Sequence, residues 1–364
     1  MINLAREIIS GRRLKRGEDL NFLLTANLSE LLEGANMIRE ALCGNKVDLC
    51  TIINGRSGRC SEDCKFCAQS AHHVTEVEEY DFLDSEIILA DCQKNVANGV
   101  HRYSIVTAGR ALKGKSFAKA IETYKKLRAQ CDIDLCASHG FLNEEELIAL
   151  KEAGVSRYHE NIETSERNFP NICTTHTYED KIREIKLAQK VGLKVCSGGI
   201  IGMGETWEDR LDMAISLAEL EIDSIPINIL NPIKGTLYEN MEALSEEDIL
   251  RTVAIFRYIN PTAFIRMAAG RNFFKDGGAK LFQSGANATI TGNMLTTVGN
   301  NTEQDKAMLT SLGIDISSIS YRPYGCGYLY SWTTINSHWP STYFLTKLSH
   351  LFCLICSGYE KRYY

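Results

Sequence analysis

Residues 55–67 read GRSGRCSEDCKFC and place three cysteines, Cys60, Cys64 and Cys67, at Cys-x3-Cys-x2-Cys spacing. The segment follows an apolar run, residues 47–53, which is typical of a buried strand. A loop after a strand end can gather its thiolates around one centre without bending regular structure. Because thiolates are soft ligands that select zinc, copper(I) or iron–sulfur clusters, the spacing predicts a metal centre just past the first strand.

Zinc and an iron–sulfur cluster are both compatible with three cysteines at this spacing. Structural zinc usually takes four protein ligands, and His72 or His73 could supply the fourth. Three cysteines around a four-iron cluster would instead leave one iron open to a ligand that is not protein. The spacing alone leaves both alternatives open.

The motif resembles the Cys-x3-Cys-x-aromatic-Cys signature of radical S-adenosylmethionine (SAM) enzymes. The longer stretch RCSEDCKFCAQS at residues 59–70 resembles the biotin synthase family among them. The resemblance implies that the three cysteines hold a 4Fe-4S cluster and that Phe66 lies against the adenine of SAM. It also implies radical insertion of sulfur into dethiobiotin, the last step of biotin biosynthesis. A flavodoxin- or ferredoxin-type electron donor and a homodimer are expected from the same resemblance.

Downstream of the motif, short apolar runs alternate with amphipathic segments. The predicted strands are residues 47–53, 103–107, 133–137, 157–162, 194–197, 224–229, 264–268 and 288–291. The predicted helices are residues 117–128, 144–153, 178–191, 207–220, 245–259, 279–284 and 303–312. Regular strand–helix alternation predicts a parallel sheet, and eight strands predict an α/β fold closed into a (β/α)8 TIM-type barrel.

Three segments are predicted along the chain. Residues 1–46 form N-terminal helices, residues 47–319 form the barrel, and residues 320–364 form an atypical tail. From about Tyr321 the chain loses acidic residues and gains Tyr, Trp, Ser and Thr without a clear period. The resemblance ends near Ile319, so we expect the tail to be disordered or a frame-shifted end foreign to the family. A covering lid is the alternative.

The composition is that of a soluble globular protein, with 44% hydrophobic and 24% charged residues. A net charge of -6 gives no electrostatic reason to expect nucleic acid or an anionic membrane as a partner. No stretch approaches the about 20 apolar residues that span a bilayer, and residues 1–17 lack the apolar core of a secretory signal. The 13 cysteines therefore indicate metal ligands and reduced thiols in a cytoplasmic protein.

A glycine-rich segment, residues 198–204, follows the fifth predicted strand. Its glycines either form a flexible turn or let the backbone approach a flat ligand, which only glycine permits sterically. Neither dinucleotide-binding nor Walker spacing is present. By the resemblance, Gly198, Gly199, Gly202 and Gly204 contact the adenosyl part of SAM.

Three residues on predicted strands indicate a second metal site: Cys136, Cys196 and Arg266. Each alone has a simpler explanation, because buried cysteines are often small core residues and an arginine can neutralise carboxylates. Together they resemble the auxiliary site of the family, in which three cysteines and an arginine hold a 2Fe-2S cluster that donates the sulfur.

The third cysteine of that auxiliary site is missing. The family pattern expects it in the second strand, where this chain has Ser104. A serine oxygen is a hard ligand and is poorly matched to iron beside thiolates. The second cluster is therefore expected to be a 2Fe-2S or larger cluster that is held differently, or to be absent. Cys92 and Cys131 could substitute only if their loops folded inward, and Cys173 stays unassigned.

Polar residues at the end of the fourth predicted strand are candidates for ligand contacts. Period two places His159, Asn161 and Glu163 on one face of that strand. By the resemblance, His159 and Asn161 lie at the substrate, Asn161 against its ureido ring, and Glu163 replaces an aspartate that binds the ribose of SAM. Further candidates for substrate contacts are Asn228, in the sixth strand, and Thr296 and Thr297, after the eighth.

Three other functions remain as alternatives. Another radical enzyme of this barrel type, such as a hydrogenase-maturation or methylornithine-synthesising enzyme, would not be expected to match Cys136, Cys196, Arg266 and Asn228 together. A zinc-binding structural protein predicts zinc in place of iron and sulfide. A redox-sensing thiol protein predicts oxidation of thiols without any cluster.

Overall fold

Nine parallel strands form one sheet in the part of the chain that the structure, a computed structural model, describes: residues 1–295 and 299–317. In chain order the strands are β1 (Asp48–Arg56), β2 (Arg102–Thr107), β3 (Asp134–Ser138), β4 (Val155–His159), β5 (Lys194–Cys196), β6 (Gly199–Ile201), β7 (Ser224–Ile229), β8 (Phe264–Met267) and β9 (Ala288–Ile290). Their order in the sheet is β5-β4-β3-β2-β1-β9-β8-β7-β6. The predicted parallel sheet is confirmed.

The sheet closes into a barrel where β5 meets β7, through the pair Cys196 and Ser224. Two residues, Ser197 and Gly198, separate β5 from β6, and both strands pair with β7, so the two act as one interrupted strand. Counted in this way the barrel has eight strands, so the predicted (β/α)8 fold is confirmed. The expectation of a flexible turn is wrong for residues 199–201, because their backbone pairs with β7.

Helices cover the outside of the barrel and precede it in the chain. Within the described residues they are α1 (Ile2–Ile9), α2 (Phe22–Thr25), α3 (Leu28–Cys43), α4 (Ser85–Ala97), α5 (Gly114–Gln130), α6 (Glu144–Glu152), α7 (Phe169–Ile172), α8 (Tyr178–Lys190), α9 (Trp207–Glu219), α10 (Glu246–Ile259), α11 (Ala279–Phe282) and α12 (Thr302–Ser311), with a 3-10 turn at Arg271–Phe273. None of them is long and apolar enough to cross a membrane. The sequence prediction omits α4, although its apolar residues Ile88, Cys92 and Val96 recur at helical spacing.

Side-chain caps determine where the outer helices begin. Asn143, Thr177, Thr206 and Asn301 form capping boxes at α6, α8, α9 and α12, in which side chain and backbone bond reciprocally. Ser245 caps α10 by accepting a hydrogen bond from the Asp248 N–H at 3.1 Å. These local signals explain why the predicted helix starts agree with the structure to within a few residues.

The N-terminal segment packs on the barrel through α3 and α10. The two helical runs visible in residues 28–42 of the sequence are one continuous helix, α3. Gly34 approaches α10 so closely that a Cβ at this position would lie 1.9 Å from the Tyr258 hydroxyl oxygen. Arg251 of α10 also donates to the Ala26 carbonyl at 2.8 Å. Close backbone contact therefore holds α3 against α10.

The barrel interior is charged, although branched apolar side chains normally fill such barrels. Four charged side chains inside it are each at most 2% exposed: Asp48, Arg102, Arg157 and Arg266. A buried charge costs several kcal/mol unless it is paired and hydrogen-bonded. These residues therefore indicate that the interior is a functional site and not only a packed core.

Glu184 of α8 makes the stability of the fold depend on pH. Its side chain is buried, and Oε1 accepts a hydrogen bond from the Leu142 N–H at 3.0 Å. Burial raises the pKa of this carboxyl to about 8. Between about pH 4.3, where an unfolded glutamate ionises, and pH 8, only the unfolded chain gains the charge, so stability falls as pH rises.

We expect Glu184→Gln to raise the free energy of unfolding by several kcal/mol at pH 8 and to leave it unchanged near pH 4. The glutamine keeps the oxygen that accepts from Leu142 but cannot ionise. Urea unfolding followed by circular dichroism at the two pH values measures the difference. An equal gain at both pH values would show that the effect is not due to titration of Glu184.

Candidate active site

A cavity of about 370 Å³ lies inside the barrel and is of the size that small ligands occupy. The predicted site residues that line it are Phe66, Cys67, Ser104, Cys136, His159, Asn161, Glu163, Cys196, Asn228 and Arg266. Cys50, Arg102 and Arg157 line it as well, although the sequence does not single them out. The cavity thus joins the cysteine motif to thiols and guanidinium groups on the strands.

The cysteine motif is a loop after β1 that folds back on itself. The Cys60 N–H donates to the Gln69 carbonyl at 2.9 Å, and the Cys60 carbonyl accepts from the Ala71 N–H at 2.8 Å. The Cys67 N–H donates to the Cys64 carbonyl at 3.0 Å. These backbone bonds enclose the three cysteines in one short loop, as the spacing predicts.

His72 and His73 bind to the backbone of this loop. His72 Nε2 lies 3.1 Å from the Ser61 carbonyl oxygen, and His73 Nδ1 lies 2.8 Å from the Cys67 carbonyl oxygen. In the described part of the chain, neither histidine belongs to a group of ligand atoms close enough to share a metal ion. The two imidazoles therefore stabilise the loop and do not complete a zinc site with it.

Cys173 and His176 approach the motif from the segment after α7. Cys64 Sγ lies 3.7 Å from Cys173 Sγ, which in turn lies 3.3 Å from His176 Nδ1. The ligand atoms of the three residues lie within 4.8 Å of one another, close enough to hold one metal ion. Glu62 also accepts from His176 Nδ1 at 2.6 Å. The sequence signal for this cluster is the Cys-x2-His spacing of residues 173–176.

Two thiols of the motif, those of Cys64 and Cys67, favour their protonated form. The hydrogen bond that Cys64 donates to Cys173 lowers the pKa of Cys173 to about 4 and raises that of Cys64 well above its usual value. Burial raises the pKa of Cys67 to about 11. Because metals bind thiolates, loading this site with metal must release protons.

Asp48 neutralises two arginines deep in the barrel. Its Oδ2 accepts a hydrogen bond from Arg102 Nε at 2.7 Å and another from Arg266 Nη2. Arg266 Nη1 donates to the Thr289 carbonyl at 3.0 Å. Burial alone would raise the pKa of Asp48, but the two guanidinium groups hold it far below its usual range. The carboxylate is therefore ionised and balances part of the positive charge in the cavity wall.

Three cysteines lie in the barrel wall beside these arginines: Cys50, Cys136 and Cys196. Burial raises the pKa of Cys50 to about 12 and that of Cys136 to about 11. Burial acts on Cys196 in the same direction, but a hydrogen bond and the charge of His159, together with Arg266, lower its pKa to about 7. Cys196 is thus the thiol of the three that ionises most readily.

Strand register places the predicted second-site residues near one another. Ser104 of β2 pairs with Cys136 of β3, and Cys196 of β5 lies opposite Ser224 of β7 at an Sγ–Oγ distance of 3.4 Å. Arg266 Nε lies 3.5 Å from the same Ser224 oxygen. The barrel thus brings together the residues that the sequence associates with a second metal site.

Cys92 and Cys131 lie elsewhere. Both are buried, Cys92 in α4 and Cys131 at the end of α5. Burial, and to a smaller extent the neighbouring thiol of Cys131, raises the pKa of Cys92. Neither lines the cavity, so their thiols do not replace the missing third cysteine.

Asn161 and Asn228 project from neighbouring parts of the barrel into the cavity. Asn161 Oδ1 accepts from the Gly198 N–H at 3.0 Å, and Asn228 Oδ1 accepts from the Ala269 N–H at 3.2 Å. These bonds determine the orientation of each amide before any ligand binds. The strand predicted for residues 157–162 ends at His159, so Asn161 lies in the loop after β4 and not on the strand.

Glu163 has a φ of 67°, a conformation that residues other than glycine rarely adopt. Its N–H donates to the Gly198 carbonyl at 3.0 Å, and its carbonyl accepts from the Ile200 N–H at 2.9 Å. Burial raises the pKa of the carboxyl, and Lys181 opposes that shift. Strained backbone that the surrounding structure enforces is common at functional sites, which supports the predicted binding role.

Two of the predicted SAM-binding glycines are required by contacts within the protein. A Cβ at Gly198 would lie 1.9 Å from the Pro226 carbonyl oxygen, and one at Gly199 would lie 2.3 Å from the Glu163 carbonyl oxygen. Gly202 and Gly204 have positive φ. Contact of the four glycines with SAM stays a prediction. Thr296 and Thr297 lie outside the described residues, as does the predicted tail from residue 320.

The chain matches the models of two protein families. The Radical SAM superfamily model matches residues 54–217, and the Biotin and Thiamin Synthesis associated domain matches residues 226–315. The biotin synthase of Clostridium beijerinckii is 70% identical over 316 residues, which cover 87% of this chain and 100% of that protein. The biotin synthase of Alkaliphilus metalliredigens is 68% identical over 86% of this chain and 98% of that protein.

Solved structures with the same fold include those of two other proteins. Methylornithine synthase superposes with a TM-score of 0.75 at 18% identity, covering 86% of this chain and 97% of that chain. An FeFe-hydrogenase maturase from Carboxydothermus hydrogenoformans superposes with a TM-score of 0.72 at 13% identity, covering 86% and 78%. At such identities the likeness shows the fold alone. The high identity to relatives of full length decides the family, and the chain belongs to the biotin synthase family of radical SAM enzymes.

Proposed function

We propose that this chain makes biotin from dethiobiotin by radical sulfur insertion inside the barrel cavity. The observation that carries the proposal is that Phe66 and Cys67 of the motif line the same cavity as Cys136, Cys196 and Arg266. Sulfur can reach a short-lived carbon radical only if both are held close together and away from water. A shared interior cavity meets that requirement.

The side chains around the motif fit the 4Fe-4S cluster and SAM that membership of the family implies. Cys60, Cys64 and Cys67 would hold the cluster, and Phe66 would contact the adenine of SAM. When bound, these groups supply a carbon-centred radical, which no side chain of the protein can generate. The backbone bonds of the loop hold the three cysteines in place, and Glu163 would offer a half-buried carboxylate to the ribose.

The donors on the strands fit a second cluster, a 2Fe-2S cluster or a larger variant, that donates the sulfur. Cys136, Cys196 and Arg266 would hold it. Thiolates and sulfides bring negative charge, and the buried guanidinium groups of Arg102 and Arg157 line the same cavity wall. Attraction between the negative cluster and these guanidinium groups offsets part of the cost of burying both charges. The Ser104 hydroxyl fits less well, because its oxygen is a hard ligand.

The amides of the cavity wall bind and orient the substrate in this proposal. Asn161, Asn228 and His159 would contact dethiobiotin, and Thr296 and Thr297 would receive its carboxylate. Asn228 Nδ2 donates to the Gly199 carbonyl at 3.3 Å, so the amide is held by backbone on both sides. A binding group that is already oriented loses little entropy when the ligand arrives.

The electron donor, the assembly and the extent of the functional unit are also proposed. A flavodoxin- or ferredoxin-type protein would supply electrons, and the chain would act as a cytoplasmic homodimer. The functional unit would comprise the helices of residues 1–46 and the barrel of residues 47–319. Residues 320–364 would not take part in catalysis.

The test is single-turnover conversion of dethiobiotin by protein that has been reconstituted anaerobically with iron and ³⁴S-sulfide. With SAM and a one-electron reductant, we expect ³⁴S-labelled biotin together with 5′-deoxyadenosine, both measured by mass spectrometry. Cys131→Ala is the matched control, because it removes a buried thiol outside the cavity. Formation of 5′-deoxyadenosine without biotin would support another radical enzyme, and zinc without iron or sulfide would support the zinc alternative.

A further inference from the structure

The second cluster lacks one soft ligand at Ser104. Ser104 lines the cavity beside Cys136, its register partner on β3, so a cysteine at this position would have reached the cluster. The hydroxyl that stands there is a poor ligand for iron among thiolates. Either the second cluster of this chain has one thiolate ligand fewer than the family pattern, or another cysteine supplies the missing thiolate.

Cys50 of β1 is placed to supply it. In the register of β1 and β2, Ile52 lies opposite Ser104 and Cys50 lies opposite Arg102. Cys50 is therefore one strand away from Ser104, about 4.8 Å across the sheet, and two residues, about 6.6 Å, further toward the amino ends of the strands. The side chains of Cys50, Ile52 and Ser104 all line the cavity.

The surroundings of Cys50 are those of the second site. It lines the same cavity as Cys136, Cys196 and Arg266, and Asp48, two residues before it on β1, pairs with Arg266. Its own hydrogen bond is a long one, 3.7 Å, to the adjacent Thr51 carbonyl. Among the described residues, no shorter hydrogen bond holds the Cys50 thiol in place.

A purely structural role explains Cys50 less well. A small buried cysteine usually packs among apolar side chains, whereas Cys50 lies opposite Arg102 and near the ion pair of Arg266 and Asp48. The guanidinium groups of Arg102 and Arg266 already pair with Asp48, and an apolar residue beside them would gain nothing from their charge. A thiolate bound to iron would be stabilised by them.

We propose that Cys50 is the third cysteine ligand of the second iron–sulfur cluster, with Cys136, Cys196 and Arg266, and that it replaces the thiolate missing at Ser104. This inference rests on the proposed function, since it specifies how the sulfur-donating cluster is held. It restores the set of three thiolates and one arginine by taking one ligand from β1 instead of β2.

The experiment counts iron and acid-labile sulfide per chain after anaerobic reconstitution with ⁵⁷Fe, and records Mössbauer spectra. The variants are Cys50→Ala, Ser104→Ala and Cys131→Ala. We expect Ser104→Ala and Cys131→Ala to keep the wild-type content, and Cys50→Ala to fall to about four iron per chain, the content of one 4Fe-4S cluster. Its remaining Mössbauer signal should be that of the motif cluster, with unchanged binding of SAM.

The inference is overturned if Cys50→Ala keeps the full iron content, or if Ser104→Ala loses as much iron as Cys50→Ala does. Cys50→Ser guards against misfolding, because it keeps the shape of the side chain. Loss of iron from this variant with unchanged circular dichroism supports a ligand role, and full retention contradicts it. The proposed function is judged separately on the wild-type protein, which must hold more iron and sulfide than one 4Fe-4S cluster.

Discussion

Biotin formation is expected to fall by more than about 1,000-fold in Cys64→Ala and to stay within about two-fold of wild type in Cys173→Ala, because the cofactors carry the radical chemistry. The two thiols form a matched pair. Their sulfur atoms lie 3.7 Å apart and share a hydrogen bond, so either substitution disturbs the same contact. Only Cys64 belongs to the motif that is proposed to hold the 4Fe-4S cluster.

Iron content and biotin yield, measured on the same anaerobic preparations, test this prediction. Cys64→Ala should lose the motif cluster, whereas Cys173→Ala should retain it. If Cys173→Ala loses its metal as completely as Cys64→Ala does, the ligands of that metal are Cys64, Cys173 and His176, and the cluster assignment is wrong. His176→Ala is the third variant of this test. It should lose its metal only if Cys64, Cys173 and His176 are the ligands.

Removing the carboxylate of Asp48 is expected to lower the free energy of unfolding by about 3–5 kcal/mol in Asp48→Ala, because it leaves buried cations without their anion. Asp48 is fully buried and accepts hydrogen bonds from both Arg102 and Arg266. Asp212→Ala is the control, since its ion pair with Arg16 is exposed to water. Exposed pairs contribute less than about 1 kcal/mol.

The loss of stability in Asp48→Ala is expected to depend on pH. Burial would raise the pKa of Asp48, but Arg266 and Arg102 hold it below its usual range. A carboxyl whose pKa is lowered in the folded state contributes its full stabilisation above the unfolded pKa of about 3.9. That contribution decreases as the pH falls below this value. The difference between wild type and Asp48→Ala should therefore shrink below about pH 4 in chemical unfolding. A difference that is the same at pH 7 and pH 3 would contradict an ionic origin.

Much of the barrel can be predicted from the sequence because its signals are local. The predicted strand 224–229 has the bounds of β7, and the predicted helix at 245–259 begins at its Ser245 cap. Apolar periodicity and capping side chains depend on neighbours within a few positions. The cysteine motif is local in the same sense, because one loop carries all three thiols.

Features that depend on partners distant in sequence could not be predicted in this way. The fifth strand is split, and its second half, residues 199–201, is recognised only by pairing with β7. The place of α4 in the outer layer follows from its contact with α5 and β1. Asp48 gives no sign in the sequence that it pairs with two arginines 54 and 218 residues away.

The sequence by itself determined the family, the eight-strand parallel barrel and the three cysteines of the motif, because each depends on residue type and short-range spacing. Only the tertiary structure decided which other thiols face the cavity. It places Cys50 beside Arg266, brings Cys173 to Cys64, and leaves Cys92 and Cys131 outside. The physical reason is that a closed barrel sets inward direction and register by hydrogen bonds between strands, so side chains far apart in sequence meet only when the barrel closes.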